Sequence, residues 1–390
     1  MKTNTQTKMI SRKTMVVLAA ALTLMACDKT NRSFSLLSDA ATFQQTPTVV
    51  QQKIDVLWVV DNSGSMASSQ ANLTASFNSF INRFQTLNYD FHMAVTTTDA
   101  YRGDFSTNVD FQNAARRFRS GPLFGSGTNF YYSPDSQVPV LSNLTPNLTN
   151  TFITNATQGI NGSGDERAFA SLQAALSYSG NSDFRRPGAF LAVIILSDED
   201  DYSVNTSTAV ADTFYRGETN SDPVVLPVSS DPTDIYNLYQ DSRLYPVSSY
   251  KTFLDGLAGQ GLYSVSTISV MDVDCKTTLN AQTPGRRIGR RYMQLADMTN
   301  GAKTSLCGDF GQSLQMISDK ILELSSSFKI NREPVVSSIT IFVDGVLVPQ
   351  SATNGWTYDA ATMTVTFHNS AVPKQGAAIK VSFDPAKPNI

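Results

Sequence analysis

Two stretches of this chain are apolar at every position, and each stops abruptly in a polar, acidic turn. Val56 to Val60 runs into Asp61-Asn62-Ser63-Gly64-Ser65, and Leu191 to Leu196 runs into Ser197-Asp198-Glu199-Asp200-Asp201. Continuous runs rich in β-branched residues are expected of strands buried on both faces, as in a parallel sheet covered by helices. Between the two runs, Ala67 to Gln85 spaces Leu73, Phe77, Phe80, Ile81 and Phe84 as one face of a helix, and Asp90 to Thr98 reads as a strand. A further helix is predicted from Phe169 to near Tyr178, a strand from Leu262 to Val270, and closing helices over Tyr292 to Met298 and Gly311 to Ser326. The alternation predicts an α/β domain over 53–326 with a doubly wound, mostly parallel sheet. After Ser327 the period shortens. Ile339 to Val343 and Val346 to Val348 flank Asp344-Gly345, a two-residue hairpin signal, and Trp356 to Tyr358, Met363 to Phe367 and Ala378 to Phe383 follow as short strands. Residues 335–390 are therefore expected to form a small all-β, sandwich-like module, with Pro334 in its linker.

Two segments fit no element. Asp99 to Thr157 and Tyr202 to Tyr245 are rich in Ser, Asn, Gly, Pro and Tyr, and are too long for structureless connections in a compact domain. They read as functional or locally folded insertions. The second follows Asp198 directly, so it is expected at the same edge of the sheet, and tyrosine is a residue favoured at interfaces.

The turn after the first buried run carries oxygen side chains at alternate positions: Asp61, Ser63 and Ser65. At the carboxyl edge of an open α/β sheet, where such folds bind ligands, they would converge on one point. One carboxylate with hydroxyls is a hard oxygen set suited to Mg²⁺. Asp61-x-Ser63-x-Ser65 after Val56-Leu57-Trp58-Val59-Val60 resembles the metal-ion-dependent adhesion site of von Willebrand factor A domains and integrin I domains. The resemblance implies that Asp198 holds the metal through water. It also implies a hydroxyl ligand from the loop Gly162-Ser163-Gly164-Asp165-Glu166-Arg167-Ala168-Phe169, where counting back from Phe169 selects Ser163, with Thr157 as the alternative. The chain departs from the family pattern in having Ser163 for Thr, and Ser-Asp-Glu for Thr-Asp-Gly at Asp198. Glu199, Asp200 and Asp201 read as a solvated acidic loop or a helix cap.

Two carboxylates and three hydroxyls would leave Mg²⁺ or Mn²⁺ just neutralised, with water positions open to a carboxylate from a protein partner. No general base stands out, so a binding protein rather than an enzyme is expected, with no catalytic residue assigned. Two other readings stay open. One is a phosphoryl-transfer or hydrolytic enzyme using Asp61, although phosphatases of the haloacid dehalogenase type need an aspartate where this chain has Ser63. The other is a structural envelope protein with a vestigial metal site.

Composition narrows the setting. A formal charge of -3 gives no electrostatic footprint for nucleic acid, and two histidines, His92 and His368, leave little material for a zinc site. Lys2, Lys8, Arg12 and Lys13 precede an apolar run, Met15 to Ala26, that is too short to span a bilayer. Its end, Leu24-Met25-Ala26-Cys27, resembles the lipobox of bacterial lipoproteins. That resemblance implies cleavage of residues 1–26, acylation of Cys27, a tether over 27–52 and a place in the cell envelope. At about 0.8 kcal/mol per buried methylene, several acyl chains would hold the protein on the membrane. Asp28 would imply inner-membrane retention in enteric-type bacteria. The remaining pair, Cys275 and Cys307, reads as one disulfide in an oxidising compartment.

Overall fold

The computed structural model describes residues 43–49 as backbone and residues 53–132, 135–204 and 244–387 in full. The expected signal segment, Cys27 and residues 205–243 of the second insertion lie outside these residues. The chain begins with β1 (Phe43–Val49), β2 (Ile54–Val60), α1 (Ala67–Thr86) and β3 (Phe91–Thr97). The first insertion folds into a 3-10 helix (Ala100–Phe105), α2 (Val109–Arg116), the hairpin β4 (Leu123–Ser126) and β5 (Asn129–Tyr132), then β6 (Val140–Ser142) and α3 (Leu148–Ala156). There follow α4 (Ala168–Ser177), β7 (Phe190–Ser197), α5 (Val247–Ala258), β8 (Tyr263–Ser269), α6 (Val273–Asn280), α7 (Arg290–Met298), β9 (Lys303–Ser305) and α8 (Phe310–Ser326). Short strands complete the chain: β10 (Phe328–Lys329), β11 (Thr340–Val343), β12 (Val346–Val348), β13 (Trp356–Asp359), β14 (Thr364–Phe367) and β15 (Ala378–Phe383).

The fold is mixed α/β, built on a mostly parallel six-stranded sheet in the order β6-β3-β2-β7-β8-β9. Only β6, at one edge, runs antiparallel. Successive side chains of a strand face opposite sides, and in β2 both sets are apolar and buried. Val56, Trp58 and Val60 join a core with Phe77, Phe80 and Phe84 of α1, Phe152 of α3 and Leu314, Ile317 and Ile321 of α8. Leu57 and Val59 join the opposite core with Phe169 and Leu172 of α4, Leu254 of α5 and Leu295 of α7. A strand of this composition is stable only between two layers, each such side chain contributing about 1.5–3 kcal/mol when buried. Aromatic packing is specific on the first side: Trp58 meets Phe80 edge-on at 5.1 Å and Phe152 at 5.5 Å.

The first insertion is locally folded within the domain, since β6 extends the sheet and Phe152 of α3 is fully buried. Two boundaries differ from expectation. The C-terminal module begins at Phe328 instead of residue 335, because β10 pairs with β14. Residues 43–49 are not simple tether: β1 pairs antiparallel with β15, from Phe43 opposite Phe383 to Val49 opposite Ala378. The module has two small antiparallel sheets, β1-β15-β11-β12 and β10-β14-β13. Ile341, Ile379 and Val381 of one and Trp356, Val365 and Phe367 of the other share a core that continues into the α1–α8 side of the main domain. Asp344 (φ 50°) and Gly345 (φ 81°) make the expected two-residue turn. Glu323 of α8 lies 3.2 Å from Nδ1 of His368 in the module. Among the described residues no helix is long and apolar enough to cross a membrane.

Cys275 and Cys307 form the expected disulfide, tying the first turn of α6 to the loop after β9 across 32 residues of sequence. Reduction is expected to lower the free energy of unfolding by about 3–4 kcal/mol, the loop-closure entropy returned to the unfolded chain. Urea titrations with and without reductant test this, and a loss below about 1 kcal/mol would contradict it.

Candidate metal centre

β2 and β7 are adjacent and in register, with Val60 opposite Leu196, so their carboxyl ends place Asp61 beside Ser197 and Asp198. The backbone N–H of Asp61 donates to Leu196 O at 2.9 Å. Ser63 N–H donates to Asp61 Oδ1 at 2.8 Å, bending the chain into a turn, and Ser197 Oγ donates to Asp61 Oδ2 at 2.7 Å. The bend brings Ser63 Oγ to 3.3 Å from Ser65 Oγ, and Ser65 Oγ donates to Asp198 Oδ1 at 3.0 Å. Asp61, Ser63, Ser65 and Asp198 thus lie on one chain of hydrogen bonds. Gln70 of α1 locks the third loop against them, donating to both Asp61 O and Gly159 O at 2.8 Å. Gly162 N–H donates to Asn62 O at 2.7 Å. The approach is so close that a Cβ at Gly162 would stand 2.6 Å from Asn62, so only glycine fits there.

The third-loop residue expected from the resemblance does not join this group. Ser163 N–H donates to Asp99 Oδ1 at 3.1 Å, while its Oγ accepts from Asp165 N at 3.1 Å and from Tyr101 OH at 3.4 Å. It faces the loop after β3. Thr157 is exposed and donates to Ile153 O at 2.8 Å, finishing α3. Glu166 is the residue that sequence reasoning passed over. It is fully buried, and neither carboxylate oxygen has a hydrogen-bond partner. Burial, then the charges of Glu199, Asp61 and Asp198, hold its carboxyl well above the ordinary range. The available signal was its position, two residues ahead of the first helical residue of α4.

In the acidic run after β7 only Glu199 keeps contact with solvent; Asp198, Asp200 and Asp201 are buried. Asp198, 1% exposed, forms an ion pair from Oδ2 to Arg286 Nε at 2.9 Å, and Arg286 Nη2 also donates to Ser65 O at 3.3 Å. Asp200 Oδ1 accepts from the backbone N–H of Arg291 at 3.0 Å, near the start of α7. Asp201 serves as a cap for α4, accepting from Phe169 N at 2.9 Å, and pairs with Arg291 at 3.2 Å. Burial, reinforced by the charge of Asp198, raises the Asp61 carboxyl to about 7 against the hydrogen bonds from Ser63 and Ser197. Burial raises Asp200 to about 7, opposed by Arg291. Glu199, partly exposed, is raised to about 8 by burial and by Asp198 and Asp61.

Glu166, Glu199, Asp61 and Asp198 raise one another's carboxyls through their charges, and with the hydroxyls of Ser63 and Ser65 they make a hard oxygen set of the kind Mg²⁺ or Mn²⁺ takes. No three or more His, Cys, Asp or Glu side chains among the described residues form a ready cage. An ion here would therefore lean on hydroxyls and water. His92 is at the other end of β3, beside Phe184 O at 3.1 Å, and His368 is in the C-terminal module.

No protein-family model and no curated protein matches the sequence. Among solved structures, the pilus adhesin SpaC from Lactobacillus rhamnosus GG, in its open conformation, aligns at 13% identity and a TM-score of 0.37, over 85% of this chain and 38% of that one. The pilus adhesin RrgA from Streptococcus pneumoniae aligns at 11% identity and 0.33, over 88% and 58%. Proximal thread matrix protein 1 from the mussel byssus aligns at 10% identity and 0.34, over 74% and 51%. The chain spans between about a third and three-fifths of those structures, and at such scores the likeness carries no argument about function.

Proposed function

We propose that this protein is a cell-envelope lipoprotein, anchored through Cys27, whose von Willebrand factor A-like domain binds a protein partner through a divalent cation. The observation that carries this reading is the chain of hydrogen bonds from Asp61 through Ser63 and Ser65 to Asp198, at the junction of two buried strands. A parallel sheet with helices on both faces supports the same reading.

In this reading Asp61, Ser63 and Ser65 hold Mg²⁺ or Mn²⁺, and Asp198 orients a water on it. The ion supplies Lewis acidity and open positions for an anionic oxygen. The chain supplies the rest. Ser197 and the Ser63 N–H fix the Asp61 carboxylate, Arg286 steadies Asp198, and Gln70 holds the loops at a constant distance. A partner carboxylate arriving at this partly desolvated edge would bind more strongly than in open water.

The test is a pull-down from envelope extract with Mg²⁺ present. Asp61→Ala is expected to abolish Mg²⁺ or Mn²⁺ binding and, with it, partner capture, while circular dichroism stays unchanged; chelation should do the same to the wild type. Capture that survives both treatments in a folded protein would refute the reading.

A further inference from the structure

The loop between α3 and α4 is strapped at both ends to the two ligand loops. Gly162 N–H donates to Asn62 O at 2.7 Å, and Glu166 O accepts from Tyr202 N at 2.8 Å, just beyond Asp198. Glu166 therefore hangs between the Asp61 turn and the Asp198 loop. Its chain neighbours face elsewhere: Asp165 pairs with Arg167 at 3.2 Å, and the Arg167 guanidinium lies 4.4 Å above the Tyr101 ring. The Glu166 carboxyl is wholly buried, no N–H or hydroxyl among the described residues reaches either oxygen, and the groups around it are acids: Glu199, which it meets carboxyl to carboxyl, Asp61 and Asp198. Buried without a cation, such a carboxyl is held protonated; ionised, it needs a positive charge that no side chain beside it provides.

We propose that Glu166 is the third-loop ligand of the divalent cation, sharing the anionic inner positions with Asp61. Ser63 and Ser65 supply neutral oxygens, and Asp198, held by Arg286, acts through water. The proposal rests on the metal-site reading above and departs from the resemblance, which puts a neutral hydroxyl on this loop. The charge balance also changes. Asp61 and Glu166 neutralise a divalent ion between them, and Asp198 and Arg286 neutralise each other, so the ion is retained without any partner.

The experiment is calorimetric titration of MnCl₂ into the full chain, purified in detergent and stripped with chelator. The wild type is expected to bind one Mn²⁺, Glu166→Gln to bind at least tenfold more weakly, and Ser163→Ala to stay within threefold. Glu166→Gln should melt no lower than the wild type when both are metal-free, since the amide is as neutral as the protonated carboxyl it replaces, which separates lost binding from lost folding. Glu166→Asp, which keeps a carboxylate, should bind more tightly than Glu166→Ala; equal loss in the two would overturn the assignment. Glu166→Gln binding within threefold of the wild type, with Asp61→Ala inert, would overturn the role of Glu166 and leave the metal site standing. No Mn²⁺ binding by the wild type would overturn both.

Discussion

Stripped of divalent ions, the protein is expected to lose stability as the pH rises from about 4 to about 8. In the folded chain the Asp61 and Asp200 carboxyls titrate at about 7 and Glu199 at about 8, all displaced upward by burial. In the unfolded chain the same groups return to the ordinary carboxylate range near 4. Between those limits the folded state holds more protons, so the free energy of unfolding falls as the pH rises. The stabilisation is complete below the unfolded value and is lost through pH 7 to 8. Asp61, Asp200 and Glu166, raised in the same direction, contribute most because they are wholly buried, and Glu199 adds less because it keeps some contact with solvent. The proposed divalent ion would bind the ionised carboxylates, so Mg²⁺ should stabilise strongly at pH 8, weakly at pH 5, and flatten the profile. Urea titrations at both pH values, with chelator and with Mg²⁺, provide the measurement. Metal-free stability that climbs from pH 5 to 8, or equal stabilisation by Mg²⁺ at both, would contradict this account.

Arg291→Ala is expected to cost about 3–5 kcal/mol, the penalty for leaving a buried carboxylate without its cation. Arg291 is 5% exposed and Asp201 is fully buried. The guanidinium reaches Asp201 Oδ1 at 3.2 Å and Tyr245 O at 2.8 Å, and lies 5.7 Å from the centre of the Phe169 ring. Without it, Asp201 would keep the N–H groups of Phe169 and Ser203 and the Ser203 hydroxyl, but no positive charge. The double variant Arg291→Ala with Asp201→Asn should recover much of the loss, because the amide oxygen retains an acceptor while the charge disappears. Denaturant midpoints with an unchanged slope provide the readout. A loss under about 1 kcal/mol for the single variant would show that Asp201 is adequately solvated.

The elements legible in the sequence are those whose own residues decide their fate. β2 and β7 are apolar throughout because both faces are covered, α1 keeps its aromatic residues at helical spacing, and Asp344-Gly345 can hardly do anything but turn. The Asp61 turn was readable for the same reason, since Asp, Ser and Ser after a buried strand form a local pattern. β6 and β9 are three residues each and carry no periodicity; neighbouring strands impose their conformation. β1, with glutamines and a proline, reads as tether, yet a sheet edge accepts such a sequence. Glu166, Arg286, Asp200 and Asp201 look like solvated charges in polar loops. Only tertiary closure, which brings the third loop, the acidic run and the start of α7 together, buries them.

The pairing of β1 with β15 bears on how a pull would travel through the molecule. The chain ahead of Phe43 is where the proposed anchor would act, and the opposing grip would be at the Asp61 edge. From Val49 only a few residues separate β1 from β2, whose last residue directly precedes Asp61. Were β1 unpaired, tension would pass straight into that strand and tilt the turn it supports. Paired with β15 on both sides of an irregularity between Gln45 and Thr48, β1 would resist in shear, with its ladder bonds strained together instead of peeled one at a time. Part of the force is diverted into β15 and the C-terminal module, then into α8 through Glu323 with His368 and Ser327 with Thr366. If the proposed anchor holds, the small β module would act as a strain relief that lets the molecule be hauled from its N-terminal side while the Asp61 turn keeps its shape.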